Sequence, residues 1–269
     1  MVSPTEPAGR EHPGLLEPDE PPAFSEWRRD ARSRFVIVVD HASRYIPRRL
    51  QGLGLPPCEL ERHIAWDIGS LALARELSEA LDAVLVAQNY SRLVIDCNRD
   101  PDVASSIPLV SESTEVPGNQ GLTPAQRAAR RAALFEPYHA HLQQLLDARS
   151  AAGRDTIFVA QHSMTDVFKG VPRPMHAAVL CNRDRRLADA VLDALRRDRQ
   201  LVVGDNEPYF MSDSTDYTVP RHAEARGLPY VEIEVRQDLI REPAGQRLWA
   251  SRLTQALREA ERSLFGIGS

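Results

Sequence analysis

Cysteine is scarce in this chain: Cys58, Cys97 and Cys181 are the only three in 269 residues, and no two form a C-x-x-C pair. That odd count and spacing argue against a disulfide framework or a zinc ribbon and fit reduced thiols in the cytoplasm. Aromatic residues make up only 6%. No apolar run approaches the roughly 20 residues that a membrane-crossing helix needs, and no basic segment followed by an apolar one marks a secretory leader. Positive charge is not in excess either. The net charge is -5, and the arginine clusters at 28–34, 127–131 and 183–199 are interleaved with acids or alanines. Solvated helix faces account for such clusters better than a nucleic-acid stripe does. The expectation is a soluble cytoplasmic protein with no nucleic-acid or membrane partner, its oligomeric state unread.

The length suffices to bury a core without staples. Residues 1–30 carry six prolines, many acids and few large apolar groups, which predicts a proline-rich tail or surface strap ahead of one domain over 31–269. Beyond it, apolar runs alternate with helical periodicities. Strands are expected at Phe35–Val39, Val84–Ala87, Leu93–Ile95, Thr156–Ala160, Ala177–Leu180, Leu201–Val203 and Tyr230–Arg236. Helices are expected from Trp66 to Leu81, from Thr123–Pro124 toward Ala151, over Arg185–Arg197, over Val219–Ala225, and from Ala244 to Phe265 with Leu248, Leu253, Leu257 and Leu264 facing inward. Pro137 should kink the second of these. This alternation predicts an α/β domain: a mostly parallel sheet with helices on both faces.

Ligands of open α/β sheets sit beyond the carboxyl ends of strands, so the polar residues there are the candidates. The densest group is Tyr90–Pro101, which carries Ser91, Arg92, Asp96, Asn98 and Arg99. An arginine and an asparagine there suit a carboxylate ligand, and an ion pair of Arg99 with Asp96 or Asp102 at a sheet edge is the alternative. His41 and His162 each follow an apolar strand, which puts both at one edge of a parallel sheet. Two neutral imidazoles and a carboxylate with an open position make a catalytic zinc site. Asp67, at the start of a helix, is the first choice for the carboxylate, and Asp40 the second. Glu234 is the candidate base, since a carboxylate near the sheet's middle is costly without a task or a cationic partner such as Arg236. The loops at 100–123 and 205–220, with Asn206, Glu207 and Tyr217, are expected to close over a substrate, and His222 to line the site.

The segments DHASRYIP, AWDIG, YSRLVIDCNRDP with the following SIP and PGN, FEPYH, QHSM, GDNEPY, DYTVPRHAEARGLP and VEIEVRQDLI resemble the N-formylglutamate amidohydrolase family, in its less characterised branch, over about residues 35–260. The resemblance implies a zinc-dependent hydrolase, with one divalent ion per chain, that splits N-formyl-L-glutamate into formate and glutamate, the last step of one route of histidine degradation. The family is in turn distantly similar to zinc carboxypeptidases, which implies a three-layer, phosphorylase/hydrolase-like fold with a mixed, mostly parallel sheet. It further implies His41 and His162 as ligands, Asn98–Arg99 as the carboxylate grip, Arg92 as a cation for a carboxylate or the oxyanion, and Glu234 as the base. Carboxypeptidases place a glutamate ligand three residues after the first histidine, where this chain has Arg44. Alternatives are a hydrolase of another N-acyl amino acid or small peptide, and a non-catalytic small-acid binding protein on the same fold.

Overall fold

Phe35–Val39 (β2), FVIVV, is buried at every position, as a strand covered on both faces must be. It lies inside a seven-stranded sheet of the computed structural model, which describes residues 14–266. The other strands are Phe24–Trp27 (β1), Val84–Gln88 (β3), Ile157–Met164 (β4), Ala177–Leu180 (β5), Val203–Asp205 (β6) and Tyr230–Arg236 (β7). Their spatial order is β1-β3-β2-β4-β7-β5-β6. The neighbours β3, β2, β4 and β7 run parallel, as do β5 and β6, whereas β1 meets β3 and β5 meets β7 antiparallel. The sheet is thus mixed and mostly parallel, with helices on both faces.

On one face Ser70–Leu81 (α2) and Arg186–Arg196 (α5) both pack against the long Pro243–Phe265 (α7). On the other, Glu136–Ala151 (α4) packs against the short Thr218–His222 (α6). Pro57–Leu60 (α1) and Pro124–Arg130 (α3) complete the α-helices among the described residues, and α3 opens with the capping box of Thr123 and Gln126. The kink expected near Pro137 takes the form of a π-helical segment, Arg131–Phe135, just before it.

Three expectations need correction. Residues 1–13 of the expected tail lie outside the described residues, but within it Phe24–Trp27 is an edge strand of the sheet. Phe24 stacks on His141 of α4 at 4.3 Å while Trp27 meets Arg75 of α2 at 4.5 Å, so four residues brace both helical layers. Leu93–Ile95 is buried yet is no strand, because β3 is already paired on both edges. Side chains satisfy its main chain instead: Asn119 donates to the Leu93 carbonyl and Arg130 to that of Val94, each at 2.9 Å. Leu248 points outward, at 52% exposure, because the buried stripe of α7 runs through Trp249, Leu253 and Leu257, one position round the helix.

Candidate metal centre and active site

His41 lies two residues past the end of β2, and His162 lies near the carboxyl end of the parallel neighbour β4. Their rings stand edge to face, with centroids 5.0 Å apart. Asp67 reaches them from the turn before α2. Its N–H donates to the His41 carbonyl at 2.9 Å. At Gly69 the chain turns with φ +82°, where a Cβ would lie 2.4 Å from the Ile240 carbonyl oxygen, so glycine is what lets this turn sit against the chain after β7.

Both imidazoles turn the same nitrogen to the same oxygen. Asp67 Oδ2 is 2.9 Å from His162 Nδ1 and 3.4 Å from His41 Nδ1. The three donors, all buried, lie within 4.8 Å of one another and form a group that could hold a metal ion. The outward nitrogens face carboxylates: His41 Nε2 is 2.7 Å from Asp96 Oδ1, and His162 Nε2 is 3.4 Å from Asp40 Oδ2 and 3.9 Å from Glu232 Oε2. Two nitrogens and a carboxylate, with outer carboxylates that fix the rings, are a donor set that could hold a divalent metal ion. Asp40, the second choice for a ligand, is engaged elsewhere, its Oδ1 accepting from Tyr138 and Thr218 at 2.8 Å each.

The charges are strongly coupled. Burial opposes ionisation of Asp67, but the facing imidazoles outweigh it and hold its carboxyl far below the usual range. Burial likewise opposes protonation of His41 and His162, and the surrounding carboxylates outweigh it and raise both. Glu234 is the register partner of His162 on β7. It is buried, its Oε2 has no partner, and burial pushes its carboxyl up to about 7. Arg92 lies beside the cluster, with Nη1 3.2 Å from both Asp67 Oδ1 and His41 Nδ1.

These groups open into a cavity of about 390 Å³ that Asn98 and Arg99 also line. The Asn98 amide is committed to the chain around it, accepting from the N–H groups of Tyr217 and Thr218 at 3.0 Å and donating to Asp216 at 3.0 Å. It therefore holds the loop that carries Asp216 to Thr218 against the cavity. Arg99 donates to the carbonyls of Asn98 and Thr215 from the same side.

Five expected residues lie outside the lining. Ser91 is buried and donates to the Ala65 carbonyl. Asn206 pairs with the main chain of Cys181 in both directions, and Glu207 is exposed. Tyr217 packs on Phe135 and His139, and His222 stacks on His139 beneath the site with its Nε2 2.9 Å from His139 Nδ1. Conversely His63, Tyr209, Asp216 and Glu232 line the cavity without having been singled out. Glu232 alone was legible, since it shares Glu234's face of β7.

The family model for N-formylglutamate amidohydrolase matches residues 33–241. In structure the chain is similar to the gene product Atu2144 of Agrobacterium tumefaciens, at 39% identity and a TM-score of 0.90, over 93% of this chain and 99% of that one. It is also similar to an N-formylglutamate amidohydrolase of Ralstonia eutropha JMP134, at 20% identity and a TM-score of 0.66, over 91% and 99%. No curated protein matches the chain in sequence. With the family model spanning the sheet from β2 through β7 and every residue of the buried cluster, the chain belongs to the N-formylglutamate amidohydrolase family.

Proposed function

We propose that this protein is a zinc-dependent amidohydrolase that cleaves N-formyl-L-glutamate to formate and glutamate, in the cytoplasm, as a closing step of histidine degradation. The observation that carries the reading is the convergence of His41 Nδ1, His162 Nδ1 and Asp67 Oδ2 beside a buried, unpartnered Glu234 in one cavity. His41, Asp67 and His162 would hold the ion, with Asp96 and Asp40 orienting the two rings. A zinc ion held there supplies Lewis acidity, which polarises an amide carbonyl and makes water easier to deprotonate.

The rest of the chemistry falls to the chain. Glu234 takes the proton of the attacking water at its free Oε2 and passes it to the departing amine, a task suited to a carboxyl that titrates near neutrality. The Arg92 guanidinium, beside Asp67, faces the negative charge that builds on the carbonyl oxygen. Arg99 stands at the cavity wall to pair with a substrate carboxylate.

The test is metal content and formate release measured together on protein purified without chelator. About one zinc per chain, with activity lost on stripping and restored on return, would establish the hydrolase. Metal without formate release would move the substrate to another acyl amino acid, and neither metal nor turnover would leave a small-acid binding protein.

A further inference from the structure

N-formyl-L-glutamate carries two carboxylates, and Arg99 stands at the wall for one of them. The other needs hydrogen-bond donors too, because a charge taken into a cavity is costly without partners. Two groups of the cavity lining have a donor unspent. His63 Nε2 is buried without a partner, and in that tautomer it presents an N–H. The Tyr209 hydroxyl accepts from Arg173 Nη1 at 2.6 Å, and its own proton meets no acceptor among the described residues. We propose that His63 and Tyr209 together bind the second carboxylate of the substrate, with Arg173 as the positioning residue behind Tyr209. This rests on the hydrolase reading and deepens it by naming what recognises a substrate with two negative charges.

The two donors belong to one stretch of wall. His63 Nε2 lies 3.7 Å from Glu112 Oε2, beyond hydrogen-bond reach. That carboxylate is already engaged, since Arg62 donates to it and the Lys169 N–H does so at 3.2 Å. Lys169 is at the tip of the hairpin in which Val167 and Phe168 pair with Pro172 and Val171. Arg173 follows directly, its guanidinium 5.0 Å from the Phe168 ring and 4.7 Å from that of Tyr209. Contacts therefore run unbroken from His63 through Glu112, the hairpin and Arg173 to Tyr209, and Arg173 clamps the Tyr209 loop to the hairpin.

Charge favours an anion here. Arg173 is 9% exposed, yet it pairs with no carboxylate among the described residues. A buried guanidinium in that state is costly until something negative comes near it. Its charge reaches both donors. Burial lowers His63 from its ordinary value; Glu112 opposes this, and Arg92, Arg62 and Arg173 lower it further. Burial and then Glu234 raise the Tyr209 hydroxyl, with Arg173 and Arg92 opposing them. Two neutral donors thus sit in the field of the same two arginines. The Tyr209 loop is also fixed in place: a Cβ at Gly204 would collide with the Glu207 carbonyl oxygen, so the chain folds back tightly just before Tyr209.

Three compounds separate the two carboxylates: N-formyl-L-glutamate, N-formyl-L-norvaline, which lacks the one on the side chain, and 4-formamidobutanoate, which lacks the α-carboxylate. With zinc-loaded enzyme, Tyr209→Phe should cut kcat/KM for N-formylglutamate roughly 10- to 100-fold, mainly through KM. It should leave one of the two shorter-charged compounds within about twofold, and Arg99→Ala should spare the other. His63→Leu should follow the Tyr209→Phe pattern, and His63→Gln, which returns an N–H donor, should recover most of the loss. Arg173→Met should raise KM in the parent and add nothing in the Tyr209→Phe protein. Tyr209→Phe keeps the ring against Arg173, so the test stands even where Arg173→Met does not fold. A readout independent of turnover is calorimetry on the Glu234→Gln protein, where adding Tyr209→Phe should weaken N-formylglutamate binding by a like factor. Turnover of N-formylglutamate by the parent, with equal losses on all three compounds or with none, would overturn the subsite and leave the hydrolase standing. No turnover of N-formylglutamate would overturn both.

Discussion

Glu234 and His162 are register partners on adjacent parallel strands, so a free carboxylate oxygen and a candidate ligand imidazole stand in one row of the sheet's face. The next position on that face of β7, Glu232, is also buried with an unpartnered oxygen. Two such carboxyls would be a liability in a purely structural sheet, and both open into the cavity.

Replacing Glu234 with Gln keeps the shape and removes the base. We expect kcat to fall by about 10²- to 10⁴-fold with substrate affinity within about twofold, from formate release and calorimetry. A kcat within tenfold of the parent would remove Glu234 from that role.

Asp96 reaches His41 Nε2 at 2.7 Å and also caps the Asn98 N–H at 2.9 Å. The Asp96→Asn protein keeps an oxygen there and loses the charge. Zinc affinity should drop about 10- to 100-fold in a chelator competition, with the fold unchanged by circular dichroism. Equal affinity would mean that the Asp96 charge does not tune the ring.

The His139–His222 pair makes stability pH-dependent. Burial lowers His139 to about 4, and burial with the neighbouring His139 lowers His222 to about 3. Both folded values lie below the ordinary 6.5, so the unfolded chain binds more protons in between. Stability from this pair is therefore complete above about pH 7 and declines as pH falls through 6.5 toward 4, by about 2 kcal/mol per histidine at pH 5. Urea midpoints at pH 7.5 and 5 should show it, and the His139→Phe, His222→Leu double variant should show a smaller difference. The same difference in both proteins would assign the effect to other groups.

Arg130 is 1% exposed and holds the carbonyls of Val94 and Gly118 together with the Asn119 side-chain oxygen, at 2.9, 3.0 and 2.6 Å. Arg130→Met strands three acceptors under the segment that carries Asp96 and Asn98. A loss of at least about 3 kcal/mol is expected in chemical denaturation. A loss below about 1 kcal/mol would mean that water takes over these contacts.

The sequence by itself determined the alternation of elements. Continuous β-branched runs such as FVIVV can only be covered on both faces, and strands separated by helical stretches run parallel with their polar ends at one edge. That placed His41 and His162 at one edge of the sheet, with Glu234 on a strand near its middle. It could not show that Leu93–Ile95 is held by Asn119 and Arg130, because an apolar run looks the same whether a ladder or side chains satisfy its carbonyls. Nor could it separate Asp67 from Asp40, or foresee that Asn98 and Asn206 spend their amides on the chain itself. Those outcomes hang on contacts between residues far apart in the chain: the Gly69 turn against Ile240, Thr218 and Tyr138 engaging Asp40, and Arg173 clamping two loops. Periodicity reports which face a side chain takes. Which atom it meets across that face is a property of the packed tertiary structure alone.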